Sequence, residues 1–240
     1  MSTNFRIFCD FDGTITEDDV WVAAGKFFIK RKDEWAEVIR QWENFEIGTR
    51  ECFLREIKLI EDFDRVIFDK IIDERKIDPY FTEFYSFCGQ NSIPFHILSE
   101  GMDYYIKRCL NRINPDTEFY SNHLKFHNGS DSFSLEFPYS DAECTRCGCC
   151  KRNMLINLSR DDDIAVYIGD GYSDACVVQY ADIVFAKKSL ASYCWKNNIT
   201  YFDYENFSDI RKKMEKLMQK KKINHRQSAR LKRREVLLQG

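Results

Sequence analysis

The sequence predicts an α/β protein built on a parallel, doubly wound sheet, with a helical insertion after the first strand. Three observations carry this reading. Short, nearly continuous apolar runs, FRIFCDFDG, IPFHILSEG, IAVYIGDG and DIVFAK, end in polar or turn-forming residues, as strands covered on both faces do. Amphipathic stretches of helical period lie between these runs. Residues 17–79 hold no strand pattern, only aromatic-rich segments such as DEWAEVIRQWENF and TRECFLREIKLIEDF.

The elements follow in order. FRIFC opens as a strand, and the insertion over 17–79 would form a lid above its C-terminal end. DPYFTEFYSFCGQN reads as a helix, IPFHILSEG as a strand and MDYYIKRCLNRI as a helix. Residues 117–150 alternate like a hairpin, EFYSNHLKF and SFSLEFPY around NGSD, and finish in four cysteines. KRNMLINLSRD, YSDACVVQYA, SLASYCWKNN and ENFSDIRKKMEKLMQKK read as helices between IAVYIGDG, DIVFAK and a short TYFDY strand. The expected division is a core from 1–16 and 80–218, a helical cap from 17–79 and a basic C-terminal tail from 219–240.

At 240 residues, 44% apolar and 31% charged, the chain has the size of one large globular domain with an insertion. No stretch approaches the roughly 18 uninterrupted apolar residues of a membrane span. The first strand begins almost at the N-terminus, which leaves no room for a signal peptide. The ten cysteines then point to a reducing cytoplasm rather than a disulfide framework. The net charge of −3 conceals an asymmetry: residues 211–240 carry 12 Lys or Arg against 2 Glu, and the remainder 24 basic against 37 acidic residues. An acidic body gives no support to nucleic-acid binding.

In an open parallel sheet ligands bind beyond the C-terminal ends of the strands. Collecting the polar residues there yields Asp10 and Asp12, then Ser99, then Asp170 followed by Asp174, with Lys151 opening a helix. Carboxylate oxygens suit Mg²⁺, which shares its shell with waters and phosphate. A lysine supplies a compact charge for a phosphoryl oxygen. Residues two apart on a strand project to one side, so Asp10 and Asp12 can address one substrate. Gly13 lets the chain turn out of the sheet. Each acid alone could merely end a strand or cap a helix, but the full set is a phosphoryl-transfer constellation.

These residues also resemble a family. DFDGTIT at 10–16, the run ending in Ser99, Lys151, and GDGYSD at 169–174 are similar, in order, to the four motifs of the haloacid dehalogenase superfamily of phosphatases. The resemblance implies a Rossmann-like catalytic core with an inserted helical cap, as in phosphoserine phosphatase-like members. It implies Asp10 as nucleophile, forming an aspartyl-phosphate, and Asp12 as the acid that protonates the leaving group and then activates water. It implies Mg²⁺ held by Asp10, the Asp12 backbone carbonyl and Asp170, with Asp174 supporting directly or through water. Ser99, Gly101 and Lys151 would bind the phosphate. Dehalogenating relatives lack an acid at the position of Asp12, so phosphate chemistry is expected.

CGCCK at 147–151, LSEGMDYYI and YIGDGYSDACVVQYADIVFAK resemble, more narrowly, the bacterial 2-hydroxy-3-keto-5-methylthiopentenyl-1-phosphate phosphatases of methionine salvage. Phosphocholine, phosphoethanolamine and phosphoserine phosphatases are the alternatives. Glu100 departs from that pattern, since many relatives have two glycines after the serine. Where a cap arginine would grip the carboxylate of phosphoserine, this chain has Glu56 beside Arg55. The expected partner is a small phosphorylated metabolite. The cap aromatics Trp21, Phe27, Phe28, Trp35, Trp42 and Phe45 are expected to pack the cap's own core, the alternative being a pocket lining.

A competing reading is a non-catalytic metal- or redox-sensing module using Cys144, Cys147, Cys149 and Cys150, with His123 and His127 as extra zinc ligands. Ligands four apart on a strand lie ~13 Å from each other, and adjacent cysteines chelate poorly. A redox-sensitive loop or small residues shaping the turn before Lys151 are the alternatives. Cys9 is expected to be a buried small residue. The tail is expected to be solvated or a frayed helix, with binding to an anionic surface as the minority reading.

Overall fold

The computed structural model describes residues 3–113, 116–127, 131–144 and 146–239. Its centre is a seven-stranded sheet: β1 (Asn4–Cys9), β2 (Phe95–Met102), β3 (Glu118–Phe126), β4 (Phe133–Glu136), β5 (Asp163–Gly169), β6 (Ile183–Ala186) and β7 (Phe202–Asp203). The spatial order is β4-β3-β2-β1-β5-β6-β7, parallel except for β4, which runs antiparallel to β3. The loop of that β3–β4 hairpin, over 128–130, lies outside the described residues. Strand β1 is central, with Cys9 opposite Ile97 of β2 and Ile168 of β5. The order reverses at β1, so the strand ends of β1, β2 and β5 form the crevice.

Period-two alternation sends side chains to opposite faces, and each face has its own core. Ile7, Cys9, Ile97 and Val166 pack with Phe81, Phe84 and Phe207 on one side. Phe8, Leu98, Tyr167 and Val184 pack with Leu155 and Leu190 on the other. The covering helices are α5 (Phe81–Gln90), α6 (Asp103–Asn111), α7 (Lys151–Leu158), α8 (Lys188–Lys196) and α9 (Phe207–Met218) in chain order. The earlier helices α1 (Val20–Phe28), α2 (Lys32–Glu43), α3 (Thr49–Glu56) and α4 (Arg65–Asp73) come between β1 and α5. Asp19 caps α1 by accepting from the Val22 amide at 2.8 Å, one of the donors a helix start leaves orphaned. The chain departs and returns side by side, through an antiparallel bridge between Thr16 and Ile77. Ile29, Val38, Cys52 and Leu59 form a separate small core within the insertion.

Two expectations need correction. The stretch YSDACVVQYA is not an α-helix but two 3₁₀ turns, Tyr172–Asp174 and Val177–Gln179. The Asp174 carboxylate accepts from the amides of Asp170 and Gly171 at the start of the first turn, and the bonds that follow are of the i→i+3 kind, Ala175 N to Tyr172 O and Tyr180 N to Val177 O. The tail is also not merely solvated. Helix α10 (Gln227–Gln239) docks on the body: Ala229 is buried, and Arg233 pairs with the covered side chain of Asp182 at 3.0 Å. No described helix is long and apolar enough to cross a membrane.

Candidate active site

At the end of β1 the chain continues by donating the Asp10 amide to Ile168 O at 2.9 Å. This holds Asp10 between β1 and β5, almost wholly buried. Lys151, the first residue of α7, is buried beside it and donates to Asp10 Oδ1 at 2.7 Å, Asp174 Oδ1 at 2.6 Å and Ser173 Oγ at 3.3 Å. Burial pulls this ammonium's pKa down, but Asp10 and Asp174 outweigh it and hold Lys151 well above its usual range. Burial, then the neighbouring Asp174, pushes Asp10 up, against the pull of Lys151. Asp170 is raised for the same two reasons.

Carboxylate oxygens of Asp10, Asp170 and Asp174 lie within 4.8 Å of one another. An all-oxygen, anionic donor set this compact suits a hard divalent cation. Asp174 is already saturated: Oδ1 accepts from Lys151 and from Tyr167 Oη at 2.5 Å, and Oδ2 from the amides of Asp170 and Gly171. A carboxylate offers about four lone-pair positions, so Asp174 orients the loop and the lysine, leaving Asp10 and Asp170 the freer acceptors.

Asp12 sits two residues on. Its Oδ1 accepts from the Val20 amide at 2.9 Å and its Oδ2 from Tyr105 Oη at 2.7 Å. Burial, then the charge of Asp19, raises its carboxyl well above the ordinary range, which favours a group that begins protonated. Ser99 is fully buried, and its Oγ accepts from the Gly101 amide at 2.9 Å. The serine hydrogen is thereby left to donate elsewhere. A Cβ on Gly101 would come within 1.9 Å of Tyr105 Oη and 2.5 Å of Asp12 Oδ2, so this glycine makes room for the Tyr105–Asp12 bond.

All the sequence-predicted acids except Asp174, together with Ser99 and Gly101, line one cavity of about 210 Å³. Its far wall comes from the insertion: Trp21, Val22, Ile39, Trp42, Phe53 and Glu56. Glu56 is buried, and both its oxygens are taken by indole N–H groups, Trp21 at 3.0 Å and Trp35 at 2.7 Å. Burial raises it to about 7. Of the cap aromatics, Trp21 and Trp42 therefore face the site, while Phe28 packs in the core and Phe27 is exposed.

Sequence reasoning missed four partners. Lys188 Nζ donates to Asp170 Oδ2 at 2.9 Å and to Gly13 O at 3.2 Å. Tyr105, Tyr167 and Thr14 bond to Asp12, Asp174 and Asp170 respectively. The signal for Lys188 was its place just after a strand end, in AKKS. Among the described residues, Cys144, Cys147, Cys149 and Cys150 do not join His123 in a compact ligand set. His123 lies near Glu136, while Cys149 and Cys150 are buried before Lys151 and Cys9 is buried as expected.

The haloacid dehalogenase-like hydrolase family profile matches residues 7–179. A 2-hydroxy-3-keto-5-methylthiopentenyl-1-phosphate phosphatase of Bacillus pumilus (strain SAFR-032) is 30% identical over 216 residues, 89% of this chain and 92% of that protein. One of the same name from Bacillus cereus (strain B4264) is 31% identical over 223 residues, covering 91% and 99%. Among solved structures, a phospho-aspartyl intermediate analogue of phosphoserine phosphatase superposes with a TM-score of 0.67 at 15% identity, over 88% of this chain and 99% of that one. A substrate-bound phosphoserine phosphatase complex superposes with a TM-score of 0.64 at 14% identity, over 89% and 99%.

Proposed function

The chain belongs to the haloacid dehalogenase-like hydrolase family and is a phosphomonoesterase, and we propose that it cleaves a small phosphate ester through an aspartyl-phosphate on Asp10. The observation that carries this is Asp10 and Asp12 at one strand end, with Lys151 bonded to the first and Tyr105 to the second. An Asp10 oxygen attacks phosphorus as the ester P–O bond breaks, and Asp12 gives its proton to the departing oxygen. Asp12, now a carboxylate, takes a proton from water, whose oxygen attacks phosphorus and releases Asp10. Splitting the hydrolysis this way replaces one difficult step by two easier ones.

Ser99 Oγ and Lys151 Nζ would hold phosphoryl oxygens, with Gly101 positioning the serine. Asp10, the Asp12 backbone carbonyl and Asp170 would hold Mg²⁺, with Asp174 bracing the loop. A bound Mg²⁺ supplies neutralisation of the charge on the transferring group. Residues 17–79 would act as a cap that keeps water from the intermediate. The name shared by the relatives makes 2-hydroxy-3-keto-5-methylthiopentenyl-1-phosphate the substrate to try first.

The test is phosphate release from that ester, phosphoserine, phosphocholine and phosphoethanolamine, with and without Mg²⁺, by wild type and Asp10→Asn. Mg²⁺-dependent turnover that vanishes in Asp10→Asn is expected. Turnover that persists in Asp10→Asn would refute the covalent route.

A further inference from the structure

We propose that the leaving-group half of the cavity selects esters whose alcohol carries a hydrogen-bond donor, a hydroxyl or an ammonium, and no negative charge, with Glu100 receiving that donor. This rests on the phosphatase reading above and names the substrate class of the same site.

The distribution of charge is the starting point. The cations at the site, Lys151 and Lys188, are bound to Asp10, Asp174 and Asp170, all at the phosphoryl end. The remaining wall carries Asp19, Glu56 and Glu100, and the one cation among the described lining residues is Lys188. Arg146 belongs to an adjoining cavity, where it sits over the Phe45 ring at 5.5 Å. An anionic leaving group would therefore find carboxyls and no cation free of a carboxylate partner there, and a site that leaves a charge unpaired rejects the competitor that carries it.

Glu100 supplies the attractive part. It is 6% exposed; its Oε2 accepts from the Gly148 amide at 2.9 Å, the Cys147 thiol lies beside the carboxyl as a weak donor, and its Oε1 makes no hydrogen bond of good geometry among the described residues. Burying a carboxyl oxygen unpaired is costly. Regular alternation along β2 would send Ser99 and Glu100 to opposite faces, but the pairing with β3 shifts register between Leu98 and Met102. Such irregularities re-aim side chains beside active sites. Ser99 and Glu100 both line the catalytic cavity, and Glu100 also lines the adjoining one. The unpaired carboxyl thus neighbours the serine assigned to the phosphoryl group. Glu56 is the less needy acceptor, because each of its oxygens already takes an indole N–H, whereas Glu100 Oε1 has none of good geometry.

The experiment uses four esters of matched size: n-propyl, 2-hydroxyethyl, 2-aminoethyl and carboxymethyl phosphate, with Mg²⁺, on wild type, Glu100→Gln and Glu100→Ala. Gln keeps an acceptor for Gly148 but offers an amide donor in place of the free oxygen. In wild type, kcat/KM for the hydroxyl or amino ester should exceed propyl by at least ten-fold and carboxymethyl by at least a hundred-fold. The better of the two donors distinguishes hydroxyl from ammonium. In both variants the donor-to-propyl ratio should fall at least five-fold. A merely structural defect lowers all rates alike and leaves that ratio unchanged.

An unchanged ratio, or carboxymethyl phosphate cleaved as well as propyl phosphate, overturns the proposal. Turnover of p-nitrophenyl phosphate, lost in Asp10→Asn, tests the phosphatase reading separately. Its absence sinks both, whereas turnover without donor preference sinks the proposal alone.

Discussion

Tyr105 donates its phenolic hydrogen to Asp12 Oδ2 at 2.7 Å, across 93 residues of sequence, in a space that only a glycine at 101 leaves open. The bond orients Asp12 and favours its ionised form, while burial favours the protonated one. The acid-then-base role proposed for Asp12 would benefit from that balance.

Tyr105→Phe removes one hydrogen bond to a charged acceptor, worth about 1.5–3 kcal/mol. The expected loss in kcat is roughly 10- to 100-fold on an alkyl phosphate. On p-nitrophenyl phosphate, whose leaving group needs no proton, the loss should be clearly smaller. Equal losses on both esters would show that Tyr105 serves packing rather than Asp12.

Mg²⁺ binding should stabilise the fold by mass action. At a hundred times its Kd the ion adds about 2.7 kcal/mol, which raises Tm by roughly 5–10 °C for a chain of this size. Asp170→Asn should abolish the Mg²⁺-dependent increment, measured by thermal denaturation with and without the ion. An undiminished increment would place the ion elsewhere.

Glu56 makes stability depend on pH. Its carboxyl is raised to about 7 in the fold, against 4.5 for an ordinary glutamate, because of burial. Between those values the folded state binds more protons than the unfolded one, so stability falls as pH rises through that window. The shift corresponds to about 3 kcal/mol at most. Glu56→Gln should therefore flatten the decline of denaturation free energy between pH 5 and about 7.5. A parallel decline in wild type and variant would contradict this.

The docking of α10 has its own test. The Asp182 side chain is fully buried and held by Arg233, the Arg226 amide and the Ala165 amide. Arg233→Met removes the cationic partner and leaves the Asp182 side chain buried without it, at a cost of about 3 kcal/mol. Chemical denaturation should show a lowered midpoint in Arg233→Met and partial recovery when Asp182→Asn is added. A tail that merely fringes the surface would give no change.

The sequence carried the site as a set of residue types at strand ends. Asp10 and Asp12 follow an apolar run, Asp170 follows another, and Lys151 follows a cysteine-rich turn. Strand periodicity and the geometry of parallel sheets suffice to bring those ends together. The helix expected over YSDACVVQYA is two 3₁₀ turns instead, closed by i→i+3 bonds, a distinction that the spacing of apolar residues does not register.

What the chain alone determined is therefore its alternating α/β order, its central buried strands and the carboxylates at their ends, since apolar periodicity and turn chemistry are local properties. Tertiary structure decided which partners those carboxylates received. Tyr105, Tyr167 and Lys188 reach them through packing of separate elements, and α10 reaches Asp182 across 51 residues. It also placed the adjacent Ser99 and Glu100 on one cavity, where the pairing of β2 with β3 is irregular. Glu56 became part of the wall only once Trp21 and Trp35 closed on it from two other helices. Contacts of this kind depend on how helices and strands stack, and stacking is a property of the whole core rather than of any window of sequence.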